Sequence, residues 1–299
     1  MGRETRAYYV RWNIMAINKI SLSQALAEVD ALPPVSEVFH KELELTSQEN
    51  ASRADLVRCI SLDQAISAKV LQTINSAYFG MGQKVSSLDI AVGLLGDNNI
   101  RDIAIMCSAS ASMRKSIAGY GMLADQFWLH SVTTAFAARL IADKCDAEER
   151  ETAFAAGLLH DIGMVVMDQI IRDSQIKMIW DDEMDIFPDY YSMENEIFGF
   201  THCRIGYFIS RNWNFPDNLT AAIAFHHMPE SDTDHRELVR IVSFANVLAH
   251  LVSMGVMEPR IVVLLGEEGG IPFDFSYNDI EEIFTRLVAE VEDSKAFLG

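Results

Sequence analysis

Apolar residues recur along this 299-residue chain with the spacing of α-helices, and strict apolar–polar alternation of strand length is almost absent. In residues 63–75, for example, Ile66, Val70, Leu71 and Ile74 fall on one helical face. Hydrophobic residues make up 49% of the chain and charged residues 22%, as in folded globular proteins. The sequence therefore predicts an all-α globular fold.

The second half of the chain is expected to begin with a long helix, after a Gly-Tyr-Gly segment at residues 119–121. Capping residues suggest where several helices start: Ser86 with Asp89, Thr201 before His202, and Ser276 with Asp279. The helices predicted after the Gly-Tyr-Gly segment cover about residues 123–144, 148–161, 192–198, 216–227, 235–252 and 277–292.

Charge and targeting signals exclude several classes of protein. The formal net charge of −19 repels a polyphosphate backbone, so we expect no nucleic-acid partner. Residues 1–20 lack the apolar segment of a secretory signal, and we expect no membrane insertion. The four cysteines are widely spaced, without a C-x-x-C pair, which is typical of thiols in a reducing cytoplasm.

Residues 155–163 (AAGLLHDIG) are the most informative stretch for function. They are predicted to form the end of an apolar helix whose last residues are His160 and Asp161, with Gly163 two residues later. Imidazole and carboxylate are both good ligands for divalent transition metals. Glycine permits a sharp left-handed turn just past the pair. A His-Asp dipeptide also arises by chance, so the pair alone does not establish a metal site.

Other histidines lie at helix ends or polar positions of the same half. His130 interrupts an apolar stripe, His202 begins a helix with Gly206 one turn later, and His226 and His227 end another. Glycine one turn along lets a neighbouring helix approach closely. Each histidine taken singly fits a hydrogen-bonded core residue as well as a ligand, but helix packing could bring them together. His40, His235 and His250 are assigned to surface or structural roles.

The chain resembles the HDOD proteins, bacterial signalling relatives of the HD-type metal phosphohydrolases. The resemblance covers about residues 32–252. It rests on residues 32–34, 69–71, 75–80, 85–87 and 94–96 in the first half, and on residues 128–131, 157–163 and 244–246 in the second. It implies a helical fold with an HD-like core. We therefore divide the chain into an N-terminal extension (1–30), a helical first half (31–118), an HD-like half (119–254) and a C-terminal helical tail (255–299).

Similarity to the HD-GYP phosphodiesterases extends to a set of metal ligands. The matching residues are His130, His160, Asp161, His202, His226 and His227. Three positions depart from that pattern: Gln126 replaces a glutamate, Met164 replaces a lysine, and Asn246 replaces the closing aspartate. The amides remove two negative charges from the ligand shell, each worth a few kcal/mol or so in a partly buried site. We therefore expect one divalent ion, with Fe, Zn, Ni and Mn as candidates, rather than a metal pair.

The resemblance implies an interaction module that signals through a protein partner, because HDOD proteins are generally regarded as having lost catalysis. Such a module is expected to expose apolar surface in its first half or tail. Two alternatives remain open. One is an active phosphohydrolase acting on a nucleotide or cyclic dinucleotide, with His160 and Asp161 in catalysis. The other is a non-catalytic sensor of a phosphorylated small molecule.

Overall fold

A computed structural model describes residues 20–32, 37–46, 53–62, 64–75, 84–147, 149–174, 190–232, 234–253, 255 and 272–298. Within these ranges the regular structure is helical, apart from one isolated bridge between Ile117 and Met122. The predicted all-α fold is confirmed. The proline pair at 33–34 and most of the motif at 75–80 lie outside the described residues.

The first half contains short helices that precede the Gly-Tyr-Gly segment. These are α1 (Leu22–Asp30), α2 (Glu37–Thr46), α3 (Arg53–Ser61), α4 (Gln64–Ile74), α5 (Leu88–Leu95) and α6 (Asp97–Met113). Helix α6 packs against α2, α4 and α5, so it is the centre of this half.

The helices of the second half are α7 (Ala124–Cys145), α8 (Arg150–Leu159), α9 (Gly163–Asp173), α10 (Tyr190–Phe198), α11 (His202–Asn212), α12 (Asp217–Phe225), α13 (Arg236–Ser253) and α14 (Tyr277–Leu298). Three of them, α7, α13 and α14, are the longest of the described helices. Most of the predicted boundaries agree within about two residues. The main exception is α14, which continues six residues beyond the predicted end.

Helix α7 is the central element of the second half, with α8, α13 and α14 packed around it. Its middle is buried on nearly all sides, because small residues there allow neighbouring helices to approach closely. Gly157 of α8 has the same role, since a Cβ at this position would lie 2.7 Å from the Thr134 carbonyl oxygen. Helices α7 and α8 are therefore in close contact, and His160 lies at the C-terminal end of α8.

Three capping predictions have different outcomes. The Ser276–Asp279 pair caps α14 reciprocally, as predicted. At α5 the capping residue is Ser87 rather than Ser86, because it is the Ser87 hydroxyl that accepts a hydrogen bond from the Ile90 N–H. Thr201 precedes α11, but its side chain makes no capping hydrogen bond.

Segments that the sequence assigned to different regions pack against one another. Helix α1, in the predicted extension, packs against α9 and α11 of the second half. A short 3₁₀ helix, Ala118–Tyr120, lies at the predicted junction and packs against α9. Gly121 follows with φ of +73°, a left-handed conformation that glycine adopts without strain.

One described segment, Thr152–Asp173, has the length and hydropathy of a membrane-spanning helix. Its most apolar window is 89% buried within the fold, and the turn that carries His160 and Asp161 interrupts it. This burial is typical of a core segment in a folded domain.

Candidate metal centre

The turn between α8 and α9 presents His160 and Asp161 to the N-terminus of α11. Gly163 does not adopt the left-handed conformation predicted for it. Glycine is required at position 163 for a steric reason instead. A Cβ there would lie 1.9 Å from the His202 carbonyl oxygen and 2.7 Å from the Gly206 nitrogen. Only glycine allows α9 and α11 to touch at this point, and their contact brings His202 beside the His-Asp pair.

Four histidines surround the Asp161 carboxylate. On one side, Oδ2 lies 3.1 Å from His160 Nε2 and 3.7 Å from His130 Nε2. On the other, Oδ1 lies 3.3 Å from His202 Nε2 and 3.4 Å from His226 Nε2. Ligand atoms bound to one transition metal, about 2.0–2.2 Å from it, are separated by similar distances. The convergence expected of these residues is therefore present.

The hydrogen bonds of the rings indicate which nitrogen faces Asp161 with a lone pair. His160 Nδ1 lies 2.8 Å from the Gly157 carbonyl oxygen, and His226 Nδ1 lies 3.0 Å from the Ile223 carbonyl oxygen. His202 Nδ1 lies 2.7 Å from a carboxylate oxygen of Glu194. All three partners only accept hydrogen bonds, so each Nδ1 carries the hydrogen. Each Nε2 in the neutral ring is then an acceptor.

The centre of the cluster is therefore rich in acceptors and poor in donors. Within the described part of the chain, the buried His130 Nε2, His160 Nε2, His202 Nε2 and Asp161 Oδ1 atoms make no hydrogen bond. Unsatisfied buried polar atoms cost roughly 1–3 kcal/mol each. A divalent cation would satisfy them together, so the donor set fits a metal.

His227 and His250 complete the ring of imidazoles. His227 is exposed at the rim, and its ring centroid lies 4.5 Å from that of His226. His250, on α13, stacks 4.5 Å from the ring of His130. Burial lowers the pKa of His250 to about 4, so this ring is neutral at physiological pH. The assignment of His250 to a surface or structural role overlooked this position beside a predicted ligand.

Glu194 was not predicted from the sequence, although it is fully buried in the site. One of its oxygens accepts hydrogen bonds from His202 Nδ1 and, at 2.6 Å, from the His202 backbone N–H. The other accepts a hydrogen bond from the Tyr120 hydroxyl. Glu194 thus caps α11 in place of Thr201 and fixes the orientation of the His202 ring. Glu194 lies eight residues before His202, on a different helix. Helical periodicity therefore could not indicate that the two side chains meet.

The electrostatics follow from these neighbours. Burial opposes ionisation of Asp161, but His160, His226 and His202 outweigh it and hold the pKa of Asp161 well below its usual range. Burial likewise opposes protonation of His226, but Cys203 and Asp161 raise the pKa of His226 to about 9. Burial also lowers the pKa of His130 well below its usual value, and His250 and His160 reinforce that effect. The lowered pKa of Asp161 and the raised pKa of His226 both favour a positive charge beside this carboxylate, whereas the lowered pKa of His130 opposes one on its own ring.

The three departures from the phosphodiesterase pattern occupy different places. Gln126 is exposed, and its side chain accepts a hydrogen bond from the Leu123 N–H at the start of α7. Met164 is buried and apolar at the start of α9. Asn246 is buried one helical turn before His250, and its Oδ1 makes no hydrogen bond within the described residues. None of the three supplies a negative charge.

A family comparison agrees with this architecture. The HDOD domain model matches residues 32–229. A protein of Treponema pallidum (strain Nichols) without an assigned function is 24% identical over 230 residues, which are 76% of this chain and 44% of that protein. The chain thus spans less than half the length of this relative.

Solved structures share the fold at low identity. A protein from Shewanella amazonensis SB2B, provisionally assigned as a phosphohydrolase, aligns with a TM-score of 0.63 and 21% identity over 92% of this chain and 95% of its own. An HDOD protein of unknown function from Geobacter sulfurreducens gives 0.62 and 20%, covering 93% and 95%. A protein from Marinobacter aquaeolei VT8, provisionally assigned to signal transduction, gives 0.67 and 21%, covering 96% and 63%. Because the family model matches well over half of the sequence, the chain belongs to the HDOD family.

Proposed function

We propose that this chain is a cytoplasmic signalling module whose histidine cluster holds one divalent transition-metal ion. The observation that carries the metal proposal is that the buried Nε2 atoms of His130, His160 and His202 converge on Asp161 and make no hydrogen bond within the described residues. His160, Asp161, His202 and His226 would hold the ion, with His130 and His227 at the edges of the site. Among the described residues Asp161 is the one carboxylate that faces the Nε2 atoms of these histidines. Its single negative charge balances one divalent ion better than a pair of them.

The output proposed for the module is binding to a protein partner. Its support is exposed apolar surface on the first half, where Ile90 and Leu94 lie one turn apart on α5 and are 51% and 57% exposed. Leu62, just after the neighbouring α3, is 59% exposed. The acidic composition gives no support to nucleic acid as the partner.

A phosphohydrolase is the second candidate function, and the retained ligands favour it. Bound metal would supply activation of a water molecule. The chain's own residues would position the phosphate and move protons, and exposed His227 is placed to exchange protons with solvent. Three residues weigh against this candidate. Gln126 and Asn246 lack the negative charge of the carboxylates expected at their positions. Met164 cannot donate a hydrogen bond to a phosphate as the expected lysine would.

Metal analysis with a turnover assay separates these functions. Protein purified without chelator is analysed for bound metal, and a generic phosphodiester is the assay substrate. We expect about one ion per chain, lost in His160→Ala and in the more conservative Asp161→Asn, with no turnover. His235→Ala is the matched control, because His235 lies outside the cluster beside Glu149.

Each outcome bears on a different part of the proposal. If the wild-type protein hydrolyses the substrate and His160→Ala does not, the chain is a hydrolase rather than a non-catalytic signalling module. Folded wild-type protein that binds no metal would contradict the metal site. Stabilisation of that metal-free protein by nucleotides, lost in the cluster variants, would favour a third candidate, a sensor of phosphorylated ligands in the same pocket.

A further inference from the structure

A cysteine lies among the histidines on one side of the metal centre. His202, Cys203, His226 and His227 each contribute one nitrogen or sulfur atom to a group in which all four atoms lie within 4.8 Å of one another. We call these four residues the thiol–histidine group. The similarity to the phosphodiesterases accounts for its three histidines but not for Cys203. The sequence gave no reason to distinguish this thiol from the other cysteines.

The start of α11 brings Cys203 against the end of α12. Cys203 directly follows His202, and both residues are 2% exposed. Its Sγ lies 3.8 Å from His226 Nε2 and 3.9 Å from His226 Nδ1. Because Nδ1 already donates to the Ile223 carbonyl oxygen, Nε2 is the ring nitrogen of His226 that can bind a metal beside the sulfur.

The spacing of these atoms suits a bound ion. Zinc lies about 2.3 Å from a thiolate sulfur and about 2.0–2.1 Å from an imidazole nitrogen, so two such tetrahedral ligands are about 3.6 Å apart. The 3.8 Å between Cys203 Sγ and His226 Nε2 is close to that separation. His202 Nε2 is a second, independent indication, since it is buried and makes no hydrogen bond within the described residues.

The other three cysteines have different surroundings. No disulfide joins the four cysteines, all of which lie in the described residues. Burial raises the pKa of Cys59 to about 12 and that of Cys145 to about 11, so these thiols stay protonated. Among the residues that the structure describes, Cys203 alone of the four shares a group of metal-capable side chains.

Cys203 would also supply a negative charge that the site needs. Gln126 and Asn246 are uncharged, which leaves Asp161 as the carboxylate facing the histidine Nε2 atoms. A thiol loses its proton when it binds a metal. Asp161 and a Cys203 thiolate would therefore together balance the two positive charges of one divalent ion.

We propose that Cys203 binds the metal ion as a thiolate, together with His202 and His226, and makes the site selective for zinc over manganese. This inference rests on the metal site proposed above and adds a ligand to it. Thiolate and imidazole ligands suit Zn²⁺, whereas Mn²⁺ is better suited by carboxylate, carbonyl and water oxygens. Manganese is therefore the least suited of the four candidate metals.

Cobalt substitution tests the thiolate directly. Full-length protein is freed of metal with a chelator, kept reduced and titrated with Co²⁺ in place of Zn²⁺. Visible d–d bands report bound Co²⁺ whatever its ligands, whereas an intense near-ultraviolet sulfur-to-cobalt charge-transfer band requires a bound thiolate. Competition with a chromophoric chelator gives the affinities for Zn²⁺ and Mn²⁺.

Cys203→Ser is the test variant, because it removes the sulfur with little change in size. Cys59→Ser is the matched control, since Cys59 is 3% exposed, as deeply buried as Cys203, but lies on α3 in the first half. The spectrum of the wild-type protein decides the question even if Cys203→Ser does not fold.

We expect both kinds of band in wild-type protein and in Cys59→Ser. Cys203→Ser should lose the charge-transfer band. Its Zn²⁺ affinity should fall by at least about 10–100-fold, the loss that a change in an outer partner of a ligand already causes. The Mn²⁺ affinity, weaker from the start, should change less.

The contrary outcomes separate this proposal from the metal site itself. Visible bands without a charge-transfer band in wild-type protein would overturn the thiolate ligand and leave the metal site standing. No cobalt bands at all would overturn both. A charge-transfer band that survives in Cys203→Ser would assign the sulfur to another cysteine, and equal wild-type affinities for Zn²⁺ and Mn²⁺ would overturn the selectivity.

Discussion

Asp161 is the residue on which the site depends, because each of its oxygens faces two imidazoles. The resemblance to the HD-type phosphohydrolases implied this set of histidines, and their polar positions on apolar helices were compatible with it. Glu194 could not be found in that way. It lies on a short helix with no motif, and its role appears only when the fold places it beneath His202.

Glu194→Gln tests the role of this carboxylate at the residue scale. The amide keeps the shape of the side chain but removes the charge that fixes the His202 ring and increases its basicity. We expect a 10–100-fold loss of metal affinity, as is typical when the outer partner of a ligand is changed. Competition against a chromophoric chelator measures it.

Glu196→Gln is the control, because Glu196 is exposed on the same helix. It should bind metal like wild type. Affinities that are unchanged in Glu194→Gln would show that Glu194 does not position His202.

At the scale of elements, glycine contacts determine which helices meet. Helix existence and most boundaries could be predicted from periodicity, but close helix contacts could not. Gly163 illustrates the difference. Its sequence position suggested a left-handed turn, whereas the structure uses it as the place where α9 touches α11. Only the packed arrangement reveals that requirement.

Gly163→Ala tests the α9–α11 contact. A methyl group there would overlap the His202 carbonyl, so we expect destabilisation of about 1–3 kcal/mol or more, together with weaker metal binding. Gly93→Ala on α5 is the matched control, since no atom lies within 4 Å of its added Cβ. Gly93→Ala should be neutral or stabilising by up to about 1 kcal/mol. Denaturant unfolding measures both, and similar values for the two variants would disprove the steric explanation.

A second prediction at this scale concerns the ion pairs of Arg139, which join α6, α7 and α14. Arg139→Gln should destabilise the fold by about 3–5 kcal/mol, because it leaves two partly buried carboxylates without their partner. Arg211→Gln removes an exposed pair and should cost no more than about 1 kcal/mol. Chemical denaturation of the two variants gives the comparison. A loss below 1 kcal/mol for Arg139→Gln would mean that these pairs do not hold the three helices together.

At the scale of the whole molecule, the first and second halves of the chain pack against each other. Helix α1 packs on the second half, the 3₁₀ helix at the junction packs on α9, and Tyr120 in that helix donates to Glu194. The sequence predicted a junction near residues 119–121, but it did not reveal the link between this segment and the site. The proposed domain boundaries remain a prediction.

This link predicts that metal contributes to global stability. Adding a chelator to metal-loaded protein should lower the melting temperature by about 5 °C, if the metal is present at roughly a hundred times its dissociation constant. Asp161→Asn should show no response to the chelator, whereas His235→Ala should respond like wild type. An identical melting temperature with and without chelator in wild-type protein would argue against a metal that stabilises the fold.

We propose that the acceptor atoms around Asp161 hold a cation. Anomalous X-ray diffraction from crystals grown with a divalent transition metal tests it most directly. We expect a single anomalous peak about 2.0–2.2 Å from an Asp161 oxygen and from the Nε2 atoms of at least two of the surrounding histidines. Ordered density without an anomalous peak, with the same rings hydrogen-bonded to water or to one another, would contradict it.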